Sequence, residues 1–171
     1  MTELIVAVRD SVAARNWYSA LATTLTLPDI AAKLDGRQGG SAARYISWFG
    51  TYLDPTYTVH MGDETVVFLS GEDCYALRCA FLHEGDFDIS GQMVRKALTS
   101  FTFIVPPPGM TLHNISSGSR LALQVDCFCE DVCEAVETWL NQRGNDPVVR
   151  AAIADMARIK IIKPGEGFSL P

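Results

Sequence analysis

The sequence has few of the features that mark specialised protein classes. No apolar run approaches the roughly 18 residues that a membrane-spanning helix needs, and the longest candidates, such as 159–162, are broken by lysine. The opening MTELIVAVRD lacks a basic head and soon acquires Arg9 and Asp10, so no signal peptide is expected and residence is expected to be cytoplasmic. Basic residues are in the minority, with 14 Lys and Arg against 20 Asp and Glu and a net charge of -6. That balance argues against broad DNA or other non-specific nucleic-acid binding, which needs a basic face, but leaves room for one local basic spot. The glycines match neither a phosphate-binding loop nor a dinucleotide fingerprint, so no cofactor is expected. The five cysteines are an odd number in a chain large enough to need no disulfide staples, in keeping with a reducing compartment.

What remains is an ordinary globular composition, 48% hydrophobic and 20% charged, in 171 residues that fit one domain. Helical spacing of Leu4, Val8, Val12, Trp17 and Leu21 predicts one long helix over 3–22. A short second helix is expected from Pro28 at its first turn to Gly36 as its stop, and a third from Ser41 as cap to Pro55 as terminator. MGDE reads as turn material, and TVVFL as either a strand or the lead-in to the next helix. Ser70, with Asp73 three residues on, signals the start of a helix at Gly71, and Gly85 supplies its stop. The period then changes. SFTFIV (100–105), MTLHNI (110–115) and RLALQVDCF (120–128) read as strands, separated by PPPG and by the hairpin loop SSGS. EDVCEAVETWLNQRG is amphipathic, and Asp146-Pro147 opens a last helix. The expected fold is therefore α+β, a mainly helical bundle with a small antiparallel sheet or hairpin in the C-terminal half. Its parts are a helical core (3–85), a β-hairpin region (99–128), C-terminal helices (129–160) and a loose tail (161–171).

The stretch LSGEDCYALRCAFLHEG (69–85) carries the only pattern with a specific chemistry. Its Arg78-Cys79-Ala80-Phe81-Leu82-His83 resembles the Arg-x4–6-His motif of the HEPN superfamily, the higher eukaryote and prokaryote nucleotide-binding domains. The same core is similar to that of a set of small bacterial proteins. The matched stretch is roughly a tenth of the chain. The resemblance implies a helical domain, a homodimer, and in many members a metal-independent RNase of stress or phage-defence systems with an antitoxin-like partner. It also implies catalytic roles for Arg78 and His83: Arg78 would hold the scissile phosphate and His83 would move protons at the ribose 2′-hydroxyl and the leaving oxygen. The residue after the arginine, usually polar in active members, is Cys79 here.

Helix geometry sets an obstacle. Five residues place Arg78 and His83 roughly 140° apart around the axis and about 7.5 Å apart along it, so they are not expected to share a face. A cleft between two copies, with both motifs meeting, would remove the obstacle. A position in the last helical turn favours the imidazolium form of His83. The alternative function is a non-catalytic helical module that binds a partner or ligand. In that case Arg78 pairs with an internal acid such as Glu72 or Asp73, and His83 is buried or remote from it. Other candidates are weaker. Cys127, Cys129 and Cys133 lack the paired spacing of a zinc site and read as structural thiols, so no metal is expected. His60 reads as a loop residue and His113 as a strand residue, both hydrogen-bonded; Glu84, Asp86 and Asp88 read as a solvated loop. Trp17, Trp48 and Trp139 read as core.

Overall fold

The computed structural model describes residues 1–157, 159 and 162. The expected long first helix is two, α1 (Thr2–Ala13) and α2 (Trp17–Leu34). Between them Arg15 adopts a left-handed conformation with φ 58°, which turns the chain back and lets α2 pack on α1. Apolar spacing continues across such a break, so periodicity alone does not reveal it. Pro28 does not start a helix but lies inside α2. An interior proline costs about 3 kcal/mol or more in lost hydrogen bonding and crowding. Burial of Leu21, Leu25, Leu27, Ala31 and Ala32 on either side of it offsets that cost. The helix ends where expected, with Gly36 in the left-handed region at φ 72°.

Helix α3 (Ser41–Tyr52) is capped by Gly40 rather than by Ser41, which is its first residue. Pro55 does not terminate α3; it lies in the first turn of the short α4 (Asp54–Tyr57). The first three residues of TVVFL are strand and the last two lie beyond it: β1 (Thr58–Met61) and β2 (Glu64–Val67) form an antiparallel hairpin around Gly62, with Val59 opposite Val66.

Helix α5 (Gly71–Glu84) is as expected. The Ser70 hydroxyl accepts the Asp73 backbone N–H, and Gly85 closes the helix at φ 71°. The helix begins against α3 at very close range, because a Cβ on Gly71 would stand 3.2 Å from both Ile46 Cα and Phe49 Cβ. Gly71→Ala is therefore expected to destabilise the fold by about 1–3 kcal/mol, the usual cost of overpacking, despite alanine's better helix propensity. Denaturant unfolding measures it, and an unchanged midpoint would remove this role for the glycine.

The second sheet differs from expectation. Strands β3 (Ser100–Ile104), β4 (Ile115–Ser117) and β5 (Arg120–Gln124) are ordered β3-β5-β4. β4 and β5 form the expected antiparallel hairpin around Gly118, but β3 runs parallel to β5. The sheet is mixed because β4 takes the outer edge and leaves β5 beside β3. Residues 110–114, expected as strand, form no strand. Helix α6 (Val125–Arg143) starts directly after β5, inside the stretch expected to be strand to residue 128. Val125, Phe128, Cys129, Val132, Cys133 and Val136 give α6 a buried face. A short apolar run does not distinguish strand from helix, and here helical packing decides. Helix α7 (Pro147–Ala154) has the expected cap, Asp146 accepting the N–H groups of Val148 and Val149. The expected loose tail, 161–171, lies outside the described residues except for residue 162.

The core is one cluster to which both halves contribute: Tyr45, Trp48 and Phe49 from α3, Leu77 from α5, Phe101 and Leu123 from the sheet, and Phe128 and Trp139 from α6. Arg9 joins α1 to α6 by hydrogen-bonding both Glu130 and Glu137.

Candidate functional site

The last turns of α5 carry the two residues of the motif. They meet: Arg78 Nη1 lies 3.3 Å from His83 Nε2. The expectation that they do not share a face is overturned. That expectation counted Cα positions around the axis, whereas helical side chains lean toward the N-terminus. His83 thus reaches back along the axis, and the long arginine side chain covers the remaining angle. A guanidinium only donates, so His83 Nε2 accepts, and the ring in this contact is neutral with its proton on Nδ1.

Arg78 is also held from behind. Its Nη2 lies 3.0 Å from Asp29 Oδ2 on α2, with side chains only 20% and 17% exposed. Asp29 Oδ1 in turn accepts the Ser41 hydroxyl at 2.8 Å, from the first turn of α3. Three helices therefore converge on one guanidinium. The expected acid partners, Glu72 and Asp73, are not the ones used. Arg78 Nε is buried without a hydrogen-bond partner among the described residues. The Tyr75 ring lies 6.0 Å from the guanidinium carbon and packs edge-on against the buried Tyr45. Cys79 is half-buried, and His83 is exposed. The arrangement places a fixed cation beside a solvent-accessible neutral imidazole, two groups that between them can hold a phosphate and accept a proton. Asp29 offsets the positive charge of Arg78, so the site is less basic than the motif alone implies.

The remaining candidates have structural partners. His60 lies on β1, not a loop, with Nδ1 3.0 Å from the Thr65 hydroxyl. His113 lies just before β4, not in a strand, and its Nε2 is 3.2 Å from Asp131 Oδ2. Its Nδ1 accepts the Gln124 N–H at 3.2 Å, so Nε2 carries the proton that Asp131 receives. The same carboxylate oxygen accepts the buried Tyr57 hydroxyl at 2.7 Å, a junction between loop, α4 and α6 that the sequence did not suggest. Glu84, Asp86 and Asp88 are exposed: Glu84 accepts from Gln92, and the two aspartates cap local turns. Trp48 and Trp139 are fully buried, and Trp17 packs on the core. Two open clefts are lined by other residues. One of about 350 Å³ lies along 105–111 with Gln124 and Asp126, and one of about 370 Å³ lies at Asp54, Pro55, Thr58 and His60.

Among the described residues, no group of three or more His, Cys, Asp or Glu side chains is placed to hold a metal ion. Cys129 and Cys133 are buried in α6, and burial pushes their thiols up to about 11 and about 12; it pushes Cys74 to about 12. At pH 8 a thiol reagent is therefore expected to modify at most Cys79 and Cys127 in the folded protein, and all five after unfolding. A raised thiol pKa contributes stability that is complete below the ordinary value near 9 and is lost as pH rises through the folded values. Alkaline unfolding should thus steepen between pH about 9 and about 12. Rapid modification of more than two thiols in the native protein would contradict this packing.

Sequence reasoning missed Asp29 and Ser41. Each is one polar residue on a different helix, and nothing in the local sequence connects either to position 78. Comparison of the chain with family models, curated proteins and solved structures finds no match.

Proposed function

We propose that the C-terminal end of α5 is the active centre of a HEPN-like, metal-independent RNA endonuclease that works as a homodimer in stress or phage defence. The observation that carries this reading is the 3.3 Å approach of Arg78 Nη1 to His83 Nε2. An RNA phosphate draws the guanidinium onto its oxygens and frees the Nε2 lone pair. His83 then accepts the 2′-hydroxyl proton as the 2′-oxygen attacks phosphorus, and Arg78 stabilises the charge that develops. The bond to the 5′-oxygen breaks, leaving a 2′,3′-cyclic phosphate. The departing oxygen takes that proton from the His83 imidazolium, which returns to the neutral ring.

The ion pair with Asp29 favours a second reading, a non-catalytic helical module that binds a protein partner or ligand, with Arg78 serving the packing of α2 against α5. One experiment separates the two. Native protein, Arg78→Ala and His83→Ala are incubated in chelator with a mixed pool of labelled RNAs, and light scattering gives the oligomeric state. Cleavage by the native dimer to cyclic-phosphate ends, lost in both variants, supports the nuclease. No cleavage by folded, dimeric native protein, or cleavage that survives both changes, supports the module.

A further inference from the structure

We propose that Asp29, oriented by Ser41, is the positioning residue that sets Arg78 against His83. The role in cleavage rests on the nuclease reading, whereas the geometric claim stands without it.

Arg78 has five N–H donors, two on each Nη and one on Nε. Nε is buried and has no partner among the described residues, so it does not fix the fork. Tyr75, at 6.0 Å from the guanidinium carbon, is at the outer limit of a cation–π contact and sets no orientation in the plane. The charge contact behind the fork is the ion pair of Nη2 with Asp29 Oδ2 at 3.0 Å, while Nη1 faces His83 Nε2. Asp29 is itself fixed. Its other oxygen accepts the Ser41 hydroxyl at 2.8 Å, so the carboxylate plane is set by two helices, α2 and α3, that do not carry the motif.

The nearer acid in sequence does not substitute. Both oxygens of Asp73 are engaged by Ser70 and by the backbone N–H groups of residues 96–98. Without Asp29 the arginine loses the contact that determines which nitrogen faces the imidazole, and the tautomer of His83 loses its cause.

That tautomer can be read directly. The chain has three histidines, and the ring-nitrogen signals of His83 are identified by their loss in His83→Ala. In native protein at pH 8, nitrogen NMR should show Nε2 unprotonated and the proton on Nδ1. Asp29→Ala and Arg78→Ala should both return the ring to the Nε2–H form favoured by a free imidazole, with Ser41→Ala and Asp29→Asn shifted part of the way. Should Asp29→Ala fail to fold, Ser41→Ala and Asp29→Asn carry the same comparison. Either an Nε2–H ring in native protein or a ring unaffected by the loss of Asp29 overturns the proposal.

On RNA, Asp29→Ala should lower kcat by about 10- to 100-fold with KM changed by less than about threefold, the pattern of a misplaced rather than a missing group. Native cleavage matched by Asp29→Ala overturns the positioning role. A native protein that cleaves no RNA ends the nuclease reading alone, and the ring signals still decide whether Asp29 orients Arg78.

Discussion

His83→Ala should lower RNA cleavage by about 10²- to 10⁴-fold, the usual contribution of a positioned acid or base. Arg78→Ala should lower it by about 10²- to 10³-fold, as when one donor to a developing oxyanion is removed. The double variant should be little worse than the poorer single one, because in the proposed reaction the two groups act on one phosphate as a unit. Arg78→Lys is the sharper probe. It keeps the charge that balances Asp29, and with it the packing of α2 on α5, but one ammonium cannot meet both Asp29 and His83 as the planar fork does. The lysine variant should therefore fold like the native chain and remain at least about tenfold impaired. A lysine variant as active as native protein would mean that charge alone is needed at position 78. Unchanged cleavage in His83→Ala would remove the imidazole from the chemistry altogether.

The local signals in the sequence were legible where one short stretch determines its own structure. Ser70, Asp73 and Gly85 mark both ends of α5 because capping satisfies backbone groups within a turn of the helix end. Asp146-Pro147 marks α7 for the same reason, and Gly118 marks the β4–β5 hairpin. What was not legible depends on partners distant in sequence. The break at Arg15 and the passage of α2 through Pro28 follow from packing of α1, α2 and α6, which no window of residues contains. β3 is parallel to β5 because β4 occupies the far edge, a choice made across the whole segment from 100 to 124. At the site, the motif pair was legible and its support was not. The spacing of Arg78 and His83 is a property of one helix, but Asp29 and Ser41 reach it from two others. The convergence of the pair was not legible for a related reason, since the lengths and lean of the side chains, not the Cα positions, decide it.

Asp73→Ala should be the most damaging single substitution for stability, by about 3–5 kcal/mol, on the scale of breaking a buried charged network. Asp73 is 1% exposed. Its Oδ1 accepts backbone N–H groups from Lys96, Ala97 and Leu98 at 2.7, 3.1 and 3.2 Å, and its Oδ2 accepts the Ser70 hydroxyl at 2.7 Å. One carboxylate thus joins the start of α5 to the segment that leads into β3. Removing it leaves two buried donors, the Ser70 hydroxyl and the Leu98 N–H, and two part-buried ones unpaired, each buried one costing about 1–3 kcal/mol, less whatever water recovers as the segment opens. A domain of this size has about 5–15 kcal/mol in all, so the variant should sit close to its unfolding threshold. Asp73→Asn retains one acceptor oxygen and loses the charge assistance, and should cost about half as much. Urea unfolding gives both values, and an Asp73→Ala variant within about 1 kcal/mol of native protein would show that solvent replaces the carboxylate. The same measurement sets Asp73 apart from Asp29. Asp73 variants should lose activity only in proportion to the fraction unfolded, and their folded molecules should keep the Nδ1–H tautomer of His83. Asp29 variants should lose that tautomer while remaining folded. Two aspartates near one helix would then be separated by experiment, one holding α5 in the fold and the other orienting the arginine that α5 carries.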